Sequence, residues 1–162
     1  MSLLIREALE GDREAILEII LPVIRAGETY ALDRDLSAEA ALGYWMALTK
    51  NTFAALDGDQ VLGTYYLTSN QAGGGSHVCN CGFMVAPEAS GKGVARAMCE
   101  HALATARDHG YRAMQFNFVV STNTRAIALW ERMGFDVVGR LPRAFNHPAN
   151  GYVDALVMYQ EL

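Results

Sequence analysis

The sequence predicts a single α/β domain built on a mixed, mostly antiparallel sheet with helices on both faces. Three observations carry that expectation. Two apolar runs, Thr52 to Leu56 and Gln60 to Thr68, flank Asp57-Gly58-Asp59, a hairpin signal. Two later runs, His77 to Val85 and Arg112 to Val120, are joined through a helical pattern, and such a crossover makes its strands parallel. The chain has 162 residues, 51% of them hydrophobic, which suits one substantial core.

Taken in order, Leu3 to Leu9 is a first strand. Gly11-Asp12 opens a helix to about Ala26, with Ile16, Ile19, Ile20 and Val23 on one side. Pro22 is expected to kink it or end its regular part. Glu28 to Leu36 is irregular. Ser37 caps a second helix through Leu48, with Glu39 in its first turn. The hairpin and the strand from His77 follow. Gly91 to His109 is a helix with Val94, Ala95, Met98, Ala102 and Ala106 at helical spacing, ended by Gly110. After the strand from Arg112, Asn123 to Met133 is a helix closed by Gly134. Phe135 to Leu141 and Tyr152 to Tyr159 complete the chain as strands. The order is β-α-α-β-β-β-α-β-α-β-β, with the domain spanning 1–162.

Composition narrows the function. A net charge of −5 argues against nucleic acid as a partner, since that binding needs basic patches that displace counterions. No apolar run is long enough to cross a bilayer, and the N-terminus lacks the layout of a secretory signal, so the expectation is a cytoplasmic protein with no membrane partner. The odd cysteine count (Cys79, Cys81 and Cys99) fits no closed disulfide framework. His77, Cys79 and Cys81 lack the paired spacing of a structural zinc site, so no metal is expected.

The stretch Val85-Ala86-Pro87-Glu88-Ala89-Ser90-Gly91-Lys92-Gly93-Val94-Ala95 places a bare turn at the mouth of a helix. N–H groups at a helix start have no intrahelical partner and carry a partial positive charge, so the turn suits a phosphate. A nucleoside triphosphate needs a first glycine at position 86 and a hydroxyl after Lys92; Ala86 and Gly93 stand there. A dinucleotide needs a third glycine at 96, where Arg96 stands. A mere strand–helix turn and a coenzyme A site remain.

Ser90-Gly91-Lys92-Gly93-Val94-Ala95 resembles motif A of the GCN5-related N-acetyltransferases, the GNAT family, with Ser90 where arginine or glutamine is usual. Asn123-Thr124-Arg125-Ala126-Ile127-Ala128-Leu129-Trp130-Glu131-Arg132-Met133-Gly134-Phe135 resembles that family's Asn-x-x-Ala-x-x-Leu-Tyr-x-x-x-Gly-Phe segment. The resemblance covers Phe53 to Leu162. A narrower one, on Val78-Cys79-Asn80-Cys81-Gly82-Phe83, Phe116-Asn117-Phe118-Val119, Tyr152-Val153-Asp154-Ala155 and Gly27-Glu28-Thr29-Tyr30, is to azetidine-2-carboxylate (proline-analogue) acetyltransferases.

The family resemblance implies that the strands at His77 to Val85 and Arg112 to Val120 splay apart. It implies acetyl-CoA as cosubstrate, its phosphates on Ser90, Gly91, Lys92, Gly93, Val94 and Ala95. The pantetheine arm would lie on the backbone of Phe83 and Val85, near Asn123 and Trp130. A backbone N–H near Met84 would serve as oxyanion donor. Asn80 and Asn117 are polar residues on otherwise apolar strands; each either satisfies a neighbouring backbone group or faces the cleft and holds the acceptor. Relatives carry a glutamate near position 80 and a tyrosine at 130, so neither usual proton carrier is evident. Direct attack by the amine is expected, with His77 and Ser121 as fallback proton carriers. Tyr30, Arg34 and Arg143, with Phe145, Asn146 and His147, lie on segments expected to roof the cleft and bind an amino or imino acid. The expected partner is thus a small-molecule amine, with a second copy of the chain in a homodimer as a further candidate. The rival readings are a non-catalytic acetyl-CoA-binding module, or acetylation of another small amine or of a protein amine.

Overall fold

The computed structural model describes all 162 residues. Its elements run β1 (Leu3–Glu7), α1 (Arg13–Ala26), α2 (Ala38–Trp45), β2 (Asn51–Asp57), β3 (Gln60–Ser69), β4 (Val78–Val85), α3 (Val94–Asp108), β5 (Ala113–Val120), α4 (Thr124–Arg132), β6 (Asp136–His147) and β7 (Gly151–Glu161). Seven strands form one sheet in the order β1-β2-β3-β4-β5-β7-β6. Every neighbouring pair is antiparallel except β4 and β5. This is the mixed, mostly antiparallel sheet that the hairpin and the crossover predict.

Strand alternation puts helices on both faces. Tyr65 of β3 turns toward α3, where its hydroxyl lies 2.7 Å from His101 Nδ1. The next residue, Tyr66, turns to the opposite face and meets Trp45 of α2 edge-on at 4.9 Å between ring centroids. Trp45 is fully buried, and its indole N–H donates to Thr64 Oγ1 at 3.0 Å, which donates to the Phe53 carbonyl at 2.8 Å. That chain satisfies the polar atoms that burial would otherwise strand.

Several boundaries differ from the sequence expectation. In α1 the buried stripe is Ile16, Ile19, Ile20 and Ile24; Ile24 takes the place expected for Val23. Pro22 does not end α1, which continues to Ala26 and stops on Gly27 at φ 64. A proline there forfeits one i→i−4 bond, and packing of the isoleucine stripe offsets that loss. α2 ends at Trp45 and not at Leu48. The largest difference is at the end of the chain. Arg140 to Asn150, expected as a roofing segment, is mostly strand: β6 runs on to His147, with its register to β7 shifted between Leu141 and Phe145. Arg143 lies in that bulge at φ 50, and its N–H donates to Asp154 Oδ1 at 2.8 Å.

Candidate active site

β4 and β5 pair through only two residues, Val78↔Ala113 and Cys79↔Met114. One residue further on, the Asn80 side-chain amide donates to the Gln115 carbonyl at 2.9 Å. A side chain there takes the place of the next rung, and the strands part.

The phase of the β3–β4 ladder decides which backbone groups face the gap. Asn70 N–H donates to Val78 C=O at 2.8 Å, so the even-numbered residues of β4 turn their backbone groups toward β3. The gap-facing groups belong to Cys81, Phe83 and Val85. The backbone of Met84 is committed opposite Thr64, and its N–H cannot face the gap as an oxyanion donor; only its side chain lines the cleft. That corrects the sequence expectation of a donor near Met84: the N–H groups that face the gap are those of Cys81, Phe83 and Val85.

The gap opens into a cleft of about 820 Å³. At one end lies the start of α3. Gly91 and Gly93 take φ values of 77 and 82, which favour glycine, and a Cβ built at Gly93 meets nothing within 4 Å. The first bond into α3 is Ala97 N–H to Gly93 C=O at 3.0 Å. The N–H groups of Gly93, Val94, Ala95 and Arg96 therefore precede the ladder and are free to donate. Arg125, from the first turn of α4, reaches this turn, its Nη2 3.7 Å from where a Gly91 Cβ would stand. Arg96 and Arg132 also line the cleft. The local surface is thus cationic on a chain of net charge −5. Ser90, Gly91, Gly93, Val94, Ala95 and Asn123 all line it; Lys92 does not. Asn123 precedes α4 and offers no side-chain cap.

Trp130 closes one wall of the gap, 5.1 Å from both Phe83 and Phe116 between ring centroids. At the other end stand Tyr30, Tyr44 and Tyr66, whose rings pack around Trp45 and each other. Tyr66 lies so close to β4 that a Cβ on Gly82 would sit 2.5 Å from its ring. Lys50 Nζ caps the pair from outside the cleft lining, 3.4 Å over the Tyr44 ring and 4.2 Å from the Tyr66 centroid, donating to Tyr44 C=O at 2.8 Å. Burial pushes its ammonium down to about 8.

Asn117 is exposed and, like Asn80, lines the cleft. It is held by two neighbours: Gln115 Nε2 donates to its Oδ1 at 2.9 Å, and its Nδ2 donates to Asn70 Oδ1 at 2.6 Å. Asn80 spends its N–H₂ on Gln115, which matches the structural option, and keeps its carbonyl oxygen available. Arg34 is not brought into the cleft. Its Nε donates to Arg25 C=O at 2.8 Å, and the Arg25 guanidinium donates back to Arg34 C=O, so it fastens its loop to the end of α1. Arg143 lies outside the lining too, 5.9 Å over the Tyr152 ring. His77 and Ser121 do not line it either.

No aspartate, glutamate or histidine lines the cleft. Desolvation pushes the Tyr30 and Tyr66 hydroxyls and the Cys81 thiol up, so these stay protonated near neutrality. Sequence reasoning missed Tyr44, Tyr66, Lys50, Asn70 and Arg125. Arg125 alone carried a local signal, its place two residues after Asn123 in a motif already singled out.

The acetyltransferase (GNAT) family model matches residues 15–135. The chain belongs to the GNAT family. Among solved structures, a GCN5-related N-acetyltransferase from Kribbella flavida is 44% identical, with TM-score 0.95 over 99% of this chain and 98% of that one. A phosphinothricin acetyltransferase of the GNAT superfamily from Sinorhizobium meliloti, in complex with acetyl-CoA, has TM-score 0.87 over 100% of this chain and 89% of that one. At 22% identity it carries the fold alone. The N-acetyltransferase aca1 of Schizosaccharomyces pombe is 38% identical over 98 residues, which are 60% of this chain; they span 47%, about half, of that relative's length.

Proposed function

We propose that this GNAT domain transfers an acetyl group from acetyl-CoA to the amine of a small amino or imino acid, in a ternary complex. The single observation that supports it best is the junction of a bare helix start with a parted strand pair. The first offers free N–H groups and Arg125; the second offers backbone groups that no strand residue takes up. A coenzyme with a phosphate-bearing head and an amide-bearing arm fits that donor set. The amides of Gly93, Val94 and Ala95 with Arg125 would hold its phosphates. The gap-facing groups of Phe83 and Val85 would hold its arm, and Trp130 would wall its acyl end. The bound coenzyme supplies an activated acetyl thioester.

The rest is the work of the chain. Asn80 Oδ1 and the Asn70-braced amide of Asn117 orient the amine, and the gap-facing N–H of Cys81 is the oxyanion donor in place of Met84. With no carboxylate or imidazole lining the cleft, the amine arrives unprotonated.

The chamber between Tyr30, Tyr44 and Tyr66 is aromatic and free of acidic residues, which disfavours lysine-rich protein tails. Hydroxyls of Tyr44 and Tyr66, 3.3 Å apart and backed by the Lys50 cation, replace Arg34 and Arg143 as donors for an acceptor carboxylate. Azetidine-2-carboxylate and related proline analogues are the first acceptors to try. The test is a free-thiol release assay with those compounds, common amino acids, polyamines and a lysine peptide side by side. Acetylation of the amino or imino acids alone is expected; acetylation of peptide or polyamine alone refutes the acceptor class. The lack of a lining base favours a second reading, a non-catalytic acetyl-CoA-binding module, which thiol release with any amine excludes.

A further inference from the structure

Tyr30 belongs to the loop between α1 and α2, yet its hydroxyl is bonded to the middle of β4. It accepts the Phe83 N–H at 2.8 Å and donates to the Phe83 C=O at 2.8 Å. These are gap-facing groups, beyond the last β4–β5 rung at Cys79↔Met114. One oxygen therefore does for Phe83 what a residue of a neighbouring strand does: it accepts from the N–H and donates to the C=O. The hydroxyl stays protonated, as its donation to the carbonyl requires, because burial pushes its pKa up.

An extended arm carrying amides would satisfy Phe83 in the same way. A single N–H makes one good hydrogen bond, so the two occupants exclude each other. We infer that Tyr30 is a placeholder for the coenzyme arm: the arm displaces the Tyr30 hydroxyl from Phe83, and the displaced ring repositions the α1–α2 loop over the acceptor chamber. This rests on the reading that the arm lies along β4. It also couples the two substrates. Tyr30 touches Trp45 edge-on at 6.0 Å, and its loop is fastened at the far side by Arg34 on the Arg25 carbonyl. A shift of the hydroxyl is thereby passed to the aromatic wall that receives the acceptor.

The experiment is calorimetry of coenzyme A with the wild-type chain and with Tyr30→Phe, which keeps the ring against Trp45 and deletes only the oxygen. The variant has no hydroxyl to displace, and about thirtyfold tighter coenzyme binding is expected, the equivalent of two ordinary hydrogen bonds. Hydrogen exchange of wild-type residues 28–36 gives a readout independent of the variant's folding. These amides are expected to exchange faster when coenzyme A is added, and in Tyr30→Phe to be indifferent to it. Equal or weaker binding by Tyr30→Phe overturns the inference, as does an unchanged exchange pattern in the wild-type loop. Binding by neither protein overturns the coenzyme site itself, and with it this inference; equal binding by both leaves that site standing and removes the placeholder alone.

Discussion

The Asn80 side-chain amide donates to the Gln115 main-chain carbonyl at 2.9 Å, one residue past the last rung between β4 and β5. Asn80 thus ends the ladder and opens the cleft. Asn80→Ala leaves a half-buried carbonyl without its donor, and a loss of about 1–2 kcal/mol in urea titration is expected. Turnover should fall as well, since the free Oδ1 also goes. A variant of wild-type stability with reduced turnover would show that the bond to Gln115 contributes nothing.

Asn117 makes the opposite case. It is exposed, so Asn117→Ala should change stability by less than about 1 kcal/mol. Turnover should drop at least about tenfold while coenzyme A affinity persists, the signature of an interaction made with the acceptor at the transition state. Asn70→Ala, which frees the Asn117 amide from its 2.6 Å brace, should give a smaller drop of the same kind. Steady-state kinetics and calorimetry on both variants check this.

The fold was legible because its signals are local. Asp57-Gly58-Asp59 fixes the hairpin, and Gly91, Gly93, Gly110 and Gly134, all at positive φ, punctuate the two later helices. The site was legible only where a motif is contiguous, as at the glycine turn. The acceptor chamber is not contiguous: Tyr30, Tyr44 and Tyr66 come from a loop, a helix and a strand, and while Tyr30 was read as a cleft residue, Tyr44 and Tyr66 read in the sequence as ordinary core. Met84 was assigned to the wrong edge of β4 because the phase of the backbone groups depends on the β3 register, which the sequence of β4 does not contain. Arg34 and Arg143 were read as acceptor ligands by segment alone. Their partners, Arg25 C=O for the first guanidinium and Asp154 for the second residue's N–H, are tertiary contacts that no local pattern signals.

Arg125 is expected to hold coenzyme phosphate beside the N–H groups of α3. Arg125→Ala should weaken coenzyme A binding about tenfold, and the deficit should shrink as salt is raised, because the lost term is electrostatic. Arg125→Lys should recover only part of it, lacking the planar fork. Gly93→Asp, a carboxylate at the same turn, should weaken binding further. Calorimetry at two ionic strengths decides the matter; equal affinity in folded variants removes the phosphate site from this end of the cleft.

Far from the cleft, Asp12 joins β1 to α1. Arg6 donates to its two oxygens at 2.7 and 3.1 Å, and Leu9 N–H donates at 2.6 Å. The bond to Arg6, then that to Leu9, holds its carboxyl below the ordinary 3.8 despite burial. A depressed carboxyl stabilises the fold fully above the unfolded value and loses that contribution as pH falls through the folded one. Acid unfolding of the wild type should therefore include a component below pH 3.8 that Asp12→Ala lacks. At neutral pH that variant should be about 2 kcal/mol less stable, through an unpaired Arg6 and an uncapped turn.

The pH dependence of turnover bears directly on the proposed chemistry. With no carboxylate or imidazole lining the cleft, only the acceptor's own ionisation should govern kcat/KM on its rising limb. The neutral fraction of an amine grows tenfold per pH unit below its pKa, so log kcat/KM should climb with unit slope and level off at the amine's value. Two acceptors whose amines differ in pKa should level off at two different pH values in the same enzyme. The Tyr30 and Tyr66 hydroxyls, pushed up by burial, do not interfere in this range. Lys50 is the one group near the chamber that titrates within it, at about 8. A single inflection at about 8 shared by both acceptors, and lost in Lys50→Met, would assign the proton to that lysine acting behind Tyr44 and Tyr66. A shared inflection between pH 6 and 7 would require a base that the cleft lining lacks. Inflections that track the acceptors support direct attack by a neutral amine.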